Sequence, residues 1–206
     1  MSLDHAILGF LRERPMTGYD LKTTCFDERA AHYWTADQAQ IYRTLDRLEG
    51  RNLVSERRQR QRSRPDRKVY SITDAGVAEL DRWVAETRPP PPLRDPFLIQ
   101  LSLAATLPDG ELLSLLYARR KTLQERLEAL RAQAAQRGAS SPDASRAALL
   151  DRLTLDASMA DTRSSIDWLD DSLALIEAEC EQARDLPPGT QRRLFASEID
   201  GRRRGR

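Results

Sequence analysis

Hydrophobic positions in the first half of the chain recur at two different periods. Leu3, Ile7, Phe10 and Leu11 fall on one face of a helix capped by Ser2 and running to about Arg14, where Pro15 stops it. Thr17 caps a second helix carrying Tyr19, Leu21, Cys25 and Phe26. Asp37 to Arg51 predicts a third, in which Ile41, Leu45 and Leu48 step by four and three along a buried face. Asn52 follows, and Asn tolerates the left-handed conformation that closes a helix. The period then shortens. Leu53-Val54-Ser55 opens a strand, a polar, Arg-rich stretch runs from Glu56 to Asp66, and Lys68 to Ile72 alternates as a second strand. Thr73 caps a fourth helix, Asp74 to about Glu86, with Val77, Leu80, Trp83 and Val84 expected inside.

Pro89-Pro90-Pro91-Pro92 interrupts this pattern, because a proline run cannot continue a helix and favours a stiff, extended spacer. Beyond it the period is helical. Phe97, Leu98, Leu101 and Ala105 mark a short helix, and Leu112, Leu116, Leu123, Leu127 and Leu130 stripe a long one from Asp109 to about Arg137. A second long helix begins at Pro142 or Asp143 and reaches about Arg184. On it Leu155, Met159, Ile166, Leu169, Leu173, Ile176 and Cys180 form a near-heptad seam. The expected fold class is therefore mostly α. A winged helix-turn-helix with a two-stranded wing occupies residues 1–88 and a proline-rich linker residues 89–96. A long-helix antiparallel dimerisation domain covers residues 97–185, and a basic, disordered tail residues 186–206. The dimer seam is assigned to Leu155, Met159, Ile166, Leu169, Leu173 and Ile176.

Composition narrows the chemistry. The chain has 206 residues, of which 32% are charged and 6% aromatic. The longest stretch without a charge falls well short of the ~20 apolar residues that span a bilayer, and no secretory leader opens the chain. Cys25 and Cys180 lie far apart, as suits a reduced cytoplasm, and both read as small buried hydrophobes. With only His5 and His32, no zinc spacing, phosphate loop or nucleophile elbow can be found. No enzyme activity, metal or cofactor is expected. The net charge of +1 conceals a basic segment: residues 43–68 hold 10 basic and 4 acidic side chains. Such a concentration suits a polyanion partner or a solvated basic loop.

The third helix decides between these. Its faces other than the buried one carry Gln38, Gln40, Tyr42, Arg43 and Arg47, and glutamine and arginine can pair with base edges or hold phosphate. Three helices followed by a ribbon with a basic tip is the order of a winged helix-turn-helix. Its third helix fits a major groove, and its wing reaches phosphates, here through Arg64, Arg67 and Lys68. Double-stranded DNA is the expected partner. A winged-helix adaptor that binds protein and does not read DNA is the alternative.

The residues resemble the PadR family of transcriptional regulators. The resemblance rests on Ala6-Ile-Leu-Gly9, Pro15-Met-Thr-Gly-Tyr-Asp-Leu21, Gln40-Ile-Tyr-Arg43, Leu45-Asp-Arg-Leu-Glu49 and Arg64-Pro-Asp-Arg-Lys-Val-Tyr70, followed by Ile72-Thr-Asp-Ala-Gly76. The proline spacer and the two long helices are similar to the larger PadR proteins, which have a helical C-terminal domain. The resemblance implies a homodimeric, ligand-responsive repressor acting on a palindromic operator. An apolar or aromatic effector is the natural guess, with Tyr117 and Trp168 as candidate lining residues. Their helical spacing suits packing better than a pocket.

Overall fold

A computed structural model describes residues 2–59, 67–89, 92–140 and 145–184. It divides into two compact units, Met1–Pro92 and a second that begins at Leu93. In the first unit, α1 (Ser2–Glu13) is followed by a two-residue strand, β1 (Met16–Thr17), and then by α2. Gly18–Asp20 of α2 is wound as α and Leu21–Arg29 with the wider π pitch. Next come α3 (Gln38–Gly50), β2 (Val54–Gln59), β3 (Arg67–Ile72) and α4 (Asp74–Ala85). Ser2 lies inside α1 rather than ahead of it.

Local chemistry fixes the helix ends. Thr17 Oγ1 accepts from the Asp20 N–H at 3.1 Å, while Asp20 Oδ2 accepts from the Thr17 N–H at 3.0 Å, a reciprocal cap. Asp37 and Gln40 repeat the arrangement at the start of α3, where Asp37 Oδ1 accepts from the Gln40 N–H at 2.7 Å. Asn52 closes α3 with φ of 56°, as its residue type suggested. Thr73 caps α4 through the Gly76 N–H and donates to the Asn52 carbonyl at 2.7 Å, tying that helix to the end of α3. Gly76 is required there: a Cβ would stand 2.1 Å from the Leu53 carbonyl oxygen.

The sheet has three strands in the order β1-β3-β2, all antiparallel, rather than the two expected. β1 was not foreseen because two residues carry no period. Pro15 ends α1 and leaves Met16 and Thr17 extended beside Tyr70 and Val69. The core between helices and sheet is Ile7, Leu8, Leu11, Leu21, Phe26, Ile41, Leu45, Leu48 and Tyr70, with the expected Leu80 at its margin. Val84, expected inside, is exposed. Burial pushes the Cys25 thiol up to about 11.

In the second unit, α5 (Pro96–Ser102) is capped by Asp95 and leads through a short 3-10 turn to α6 (Asp109–Ser140) and α7 (Arg146–Arg184). At ~1.5 Å per residue the 39 residues of α7 span about 58 Å. Tyr117–Glu177 and Arg120–Asp170 link the two long helices in opposite chain senses, so they run antiparallel. Phe97, Leu116, Leu123 and Leu127 pack with Ile166, Leu169 and Leu173, flanked by Met159 and Ile176. Leu155 is buried as well. This corrects the assignment of Leu155, Met159, Ile166, Leu169, Leu173 and Ile176 to a seam between subunits. Leu155, Ile166, Leu169 and Leu173 are buried within one chain, where α6 supplies a matching stripe, and Met159 and Ile176 are half-buried. Among the described residues, no helix is long and apolar enough to cross a membrane.

Candidate nucleic-acid interface

The apolar stripe of α3 orients the helix. Ile41, Thr44, Leu45 and Leu48 are buried. At about 100° per residue, Ala39, Arg43, Asp46 and Gly50 lie diametrically opposite them, and all four are exposed. Arg43 is therefore the centre of the outward face. Gln38 and Gln40 are exposed at its N-terminal end, with Gln40 Oε1 accepting from the Asp37 N–H at 3.2 Å. Sequence reasoning missed Ala39 and Asp46, although the same rotation that marked the buried stripe points to them. A methyl group at Ala39 suits a thymine methyl, and a carboxylate at Asp46 suits the cytosine amino group.

Arg47 sits elsewhere. Its side chain turns toward α1, where Nη2 donates to Asp4 Oδ1 at 2.6 Å and Nε to Oδ2 at 3.3 Å. Asp4 is 2% exposed, so its charge needs such a partner. Arg51 approaches the same carboxylate at 3.7 Å and Glu79 of α4 at 4.0 Å. Glu79 also accepts from His5 Nε2 at 3.2 Å and from Arg82, and these two groups, His5 first, hold its carboxyl below the usual glutamate range. His5 stacks on Trp83 with ring centroids 4.7 Å apart. The network ties α1, α3 and α4 together on one flank of the outward face.

The other flank is a cleft. Tyr42 leaves α3 on that side and lies over Gly18, where a Cβ would come within 2.6 Å of the ring; glycine is what admits the phenol. Thr17, Tyr19, Tyr42, Arg67 and Lys68 line a cleft of about 520 Å³. It opens because β1 pairs with β3 only at Val69 and Tyr70, after which the chain turns away into α2. Lys68 donates to Glu56 Oε2 at 2.6 Å across the ribbon, and this bond is the main cause holding the Glu56 carboxyl low and the Lys68 ammonium high. Arg64, the third expected wing contact, lies outside the described residues.

The two candidate effector residues are not brought together. Tyr117 donates to Glu177 Oε1 at 2.5 Å, whereas Trp168 stands edge-on to Phe97 at 6.5 Å. Trp168 and Glu177 are separated by about 13 Å of rise along α7. Both aromatic side chains are close to half exposed.

Comparison with known proteins agrees with this architecture. The profile of the transcriptional regulator PadR-like family matches residues 7–82, and that described as virulence activator alpha C-term matches residues 93–177. Over 90 residues the chain is 48% identical to the "Probable transcriptional regulator Rv1176c" of Mycobacterium tuberculosis, covering 44% of this chain and 47% of that protein. It is 30% identical to the negative transcriptional regulator PadR of Bacillus subtilis, covering 86% of this chain and 98% of that one. The crystal structure of Bacillus subtilis PadR with operator DNA superposes with a TM-score of 0.75 at 26% identity, over 85% of this chain and 99% of that one. The structure of the same protein with p-coumaric acid gives 0.71, at 26% identity over 86% and 99%. Shared sequence along nearly the whole Bacillus protein, together with the shared winged-helix and long-helix architecture, places this chain in the PadR-like family of transcriptional regulators.

Proposed function

We propose that the chain is a dimeric, ligand-responsive repressor that reads duplex DNA with α3 and grips the flanking phosphates with its wing. The observation that carries this is the outward face of α3, centred on Arg43, lying beside the Arg67 and Lys68 cleft. Gln38, Gln40 and Arg43 reach base edges, with Ala39 and Asp46 between them. Arg47 acts as a tie to Asp4 rather than as a base reader. Kinship with a negative regulator seen on operator DNA supports repression from the cytoplasm, and a palindromic operator follows from a two-fold dimer.

The dimer face is reassigned. Leu150, Leu153, Trp168 and Leu175 are all more than 40% exposed, at 52%, 51%, 43% and 63%. They lie on the side of α7 turned away from Leu173 and leave an apolar stripe for a second copy. The effector is an aromatic acid, in line with p-coumaric acid bound to the Bacillus relative. It binds on the Trp168 and Phe97 side, where Arg119 lies 5.1 Å over the Phe97 ring. Tyr117 stands apart.

Selection of duplexes from a random pool, followed by fluorescence anisotropy at several salt concentrations, tests the reading. One enriched site bound with a steep negative salt dependence is expected. Absence of duplex binding would overturn it in favour of the protein-binding adaptor. Quenching of tryptophan fluorescence by p-coumarate should be weaker when operator is bound, since a ligand that releases DNA must in turn be released by it.

A further inference from the structure

The outer face of α5 is apolar and uncovered. Phe97 and Leu101 turn inward, Phe97 as part of the helical core and Leu101 packed against it. At about 100° per residue Ile99 and Leu103 fall on the opposite side, and they are 64% and 75% exposed. Leu107, which closes the 3-10 turn four residues later, is exposed too. Acidic groups lie at the same end of the unit. The Tyr117–Glu177 and Arg120–Asp170 pairings, continued along both helices, set the last turn of α7 beside the first turn of α6. Asp109 and Glu111 stand on that first turn and Glu181 on that last one. All three are exposed and make no ion pair among the described residues.

The chain beyond Arg184 carries the complementary chemistry. Residues 185–206 lie outside the described residues, and their sequence holds six basic and two further acidic side chains after Asp185. Pro188-Gly189 is a turn signal, at which the chain can reverse. Arg192 and Arg193 then stand directly before Leu194 and Phe195, and Phe195 and Ile199 are spaced by four, as Ile99 and Leu103 are. We propose that segment 192–199 docks on the outer face of α5 of its own chain. Phe195 and Ile199 cover Ile99 and Leu103, and Arg192 and Arg193 meet Asp109, Glu111 and Glu181. The reach suffices. Phe195 is eleven residues past Arg184, about 36 Å at ~3.3 Å per residue. Packed helices lie ~8–10 Å apart, and Leu103, six residues before Asp109, is at most about 20 Å from it. A second copy suits this face less well, because a few aliphatic side chains expose far less than the ~800 Å² per partner of a stable interface. Opposite charge within one chain also favours the internal partner, since a short tether keeps its effective concentration high.

The test uses the full chain with Cys180→Ser, which leaves the buried Cys25 as the one native thiol. Ser102→Cys with Ala196→Cys keeps every apolar residue of the contact and should close a disulfide within one chain under mild oxidation. Ala132→Cys with Ala196→Cys, whose α6 thiol stands about 34 Å of rise from Asp109, should close far more slowly. Hydrogen exchange supplies a second readout with the native cysteines in place. The α5 amides should exchange about tenfold faster in Phe195→Asp than in wild type, the factor for a segment docked roughly nine-tenths of the time. Equal exchange in the two proteins overturns the docking, as does equal trapping at Ser102 and Ala132. A disulfide joining two chains overturns it too, in favour of a segment supplied by a second copy. None of these readouts uses DNA, so they stand or fall apart from the reading of duplex by α3.

Discussion

The two units of this chain solve the same problem, covering an apolar stripe, in different ways. In the first, short helices and a small sheet converge on one core from several directions, and polar ties such as Arg47–Asp4 and Thr73–Asn52 set how each helix is rolled. In the second, two long helices cover one another along a single line, with Phe97 added at one end. A small core enclosed from several directions leaves little apolar surface over. A long pair has two sides, and the outer side of α7 carries Leu150, Leu153, Trp168 and Leu175 into solvent. The first unit is built to present a rigid polar face, the second to offer an apolar one.

Substitutions on the two sides of α7 probe this contrast most strongly. Leu173→Asp puts a carboxylate among Leu169, Leu116 and their neighbours, at a cost of several kcal/mol if it stays ionised, on the order of that for any unpaired buried charge. Circular dichroism should show the helical unit lost or its melting point sharply lowered. Leu175→Asp should instead leave the helices intact and yield monomers by sedimentation. An intact dimer for folded Leu175→Asp would return the interface to some other face.

A comparable pair exists on α3. Arg43→Ala should relax sequence preference by about 1–3 kcal/mol, the range for a bidentate base contact, while leaving the melting temperature unchanged. Arg47→Ala should do the reverse, lowering stability by about 1–2 kcal/mol through the loss of the main partner of a buried carboxylate. That is less than for a fully enclosed pair, because the arginine is partly solvated. Equal losses of discrimination in the two variants would mean that Arg47 also reads bases.

The tie at α4 should show in acid. His5 and Arg82 hold the Glu79 carboxyl below its ordinary 4.5, so the folded state favours the ionised form. The stabilisation is fully present above that ordinary value and fades as pH falls through the depressed one. Stability measured by urea between about pH 5 and 3 should therefore fall more steeply for wild type than for Glu79→Gln. Parallel curves would count against the tie. The smallest effect concerns Cys25, whose thiol is pushed up to about 11 by burial in the first core. Iodoacetamide at neutral pH should modify Cys180, which is half-buried, well before Cys25, and should reach Cys25 only on unfolding.

Much of this was legible in the order of residues. The capping residues Thr17 and Thr73, the left-handed Asn52 and the apolar stripes of α3 and α6 each act over a few positions, and the structure uses them as read. Arg43 was legible as an exposed arginine on α3, and Arg67 and Lys68 as cations of the ribbon. β1 was not, because two extended residues have no pattern and gain their identity only from Val69 and Tyr70, far along the chain. Nor was the cleft, which needs Gly18, Tyr42 and β3 in one place.

What the sequence determined by itself was which faces are apolar, where helices begin and end, and which segment concentrates positive charge, since these depend on period and on neighbours within one or two turns. Only the tertiary structure decided what each face meets. The near-heptad seam of α7 looked like an interface between chains and is closed by α6, because hydrophobic burial is non-directional and a stripe accepts any matching stripe. Arg47 looked like one more base reader and is drawn to Asp4, because a carboxylate buried by α1 takes the nearest cation available, whatever helix supplies it.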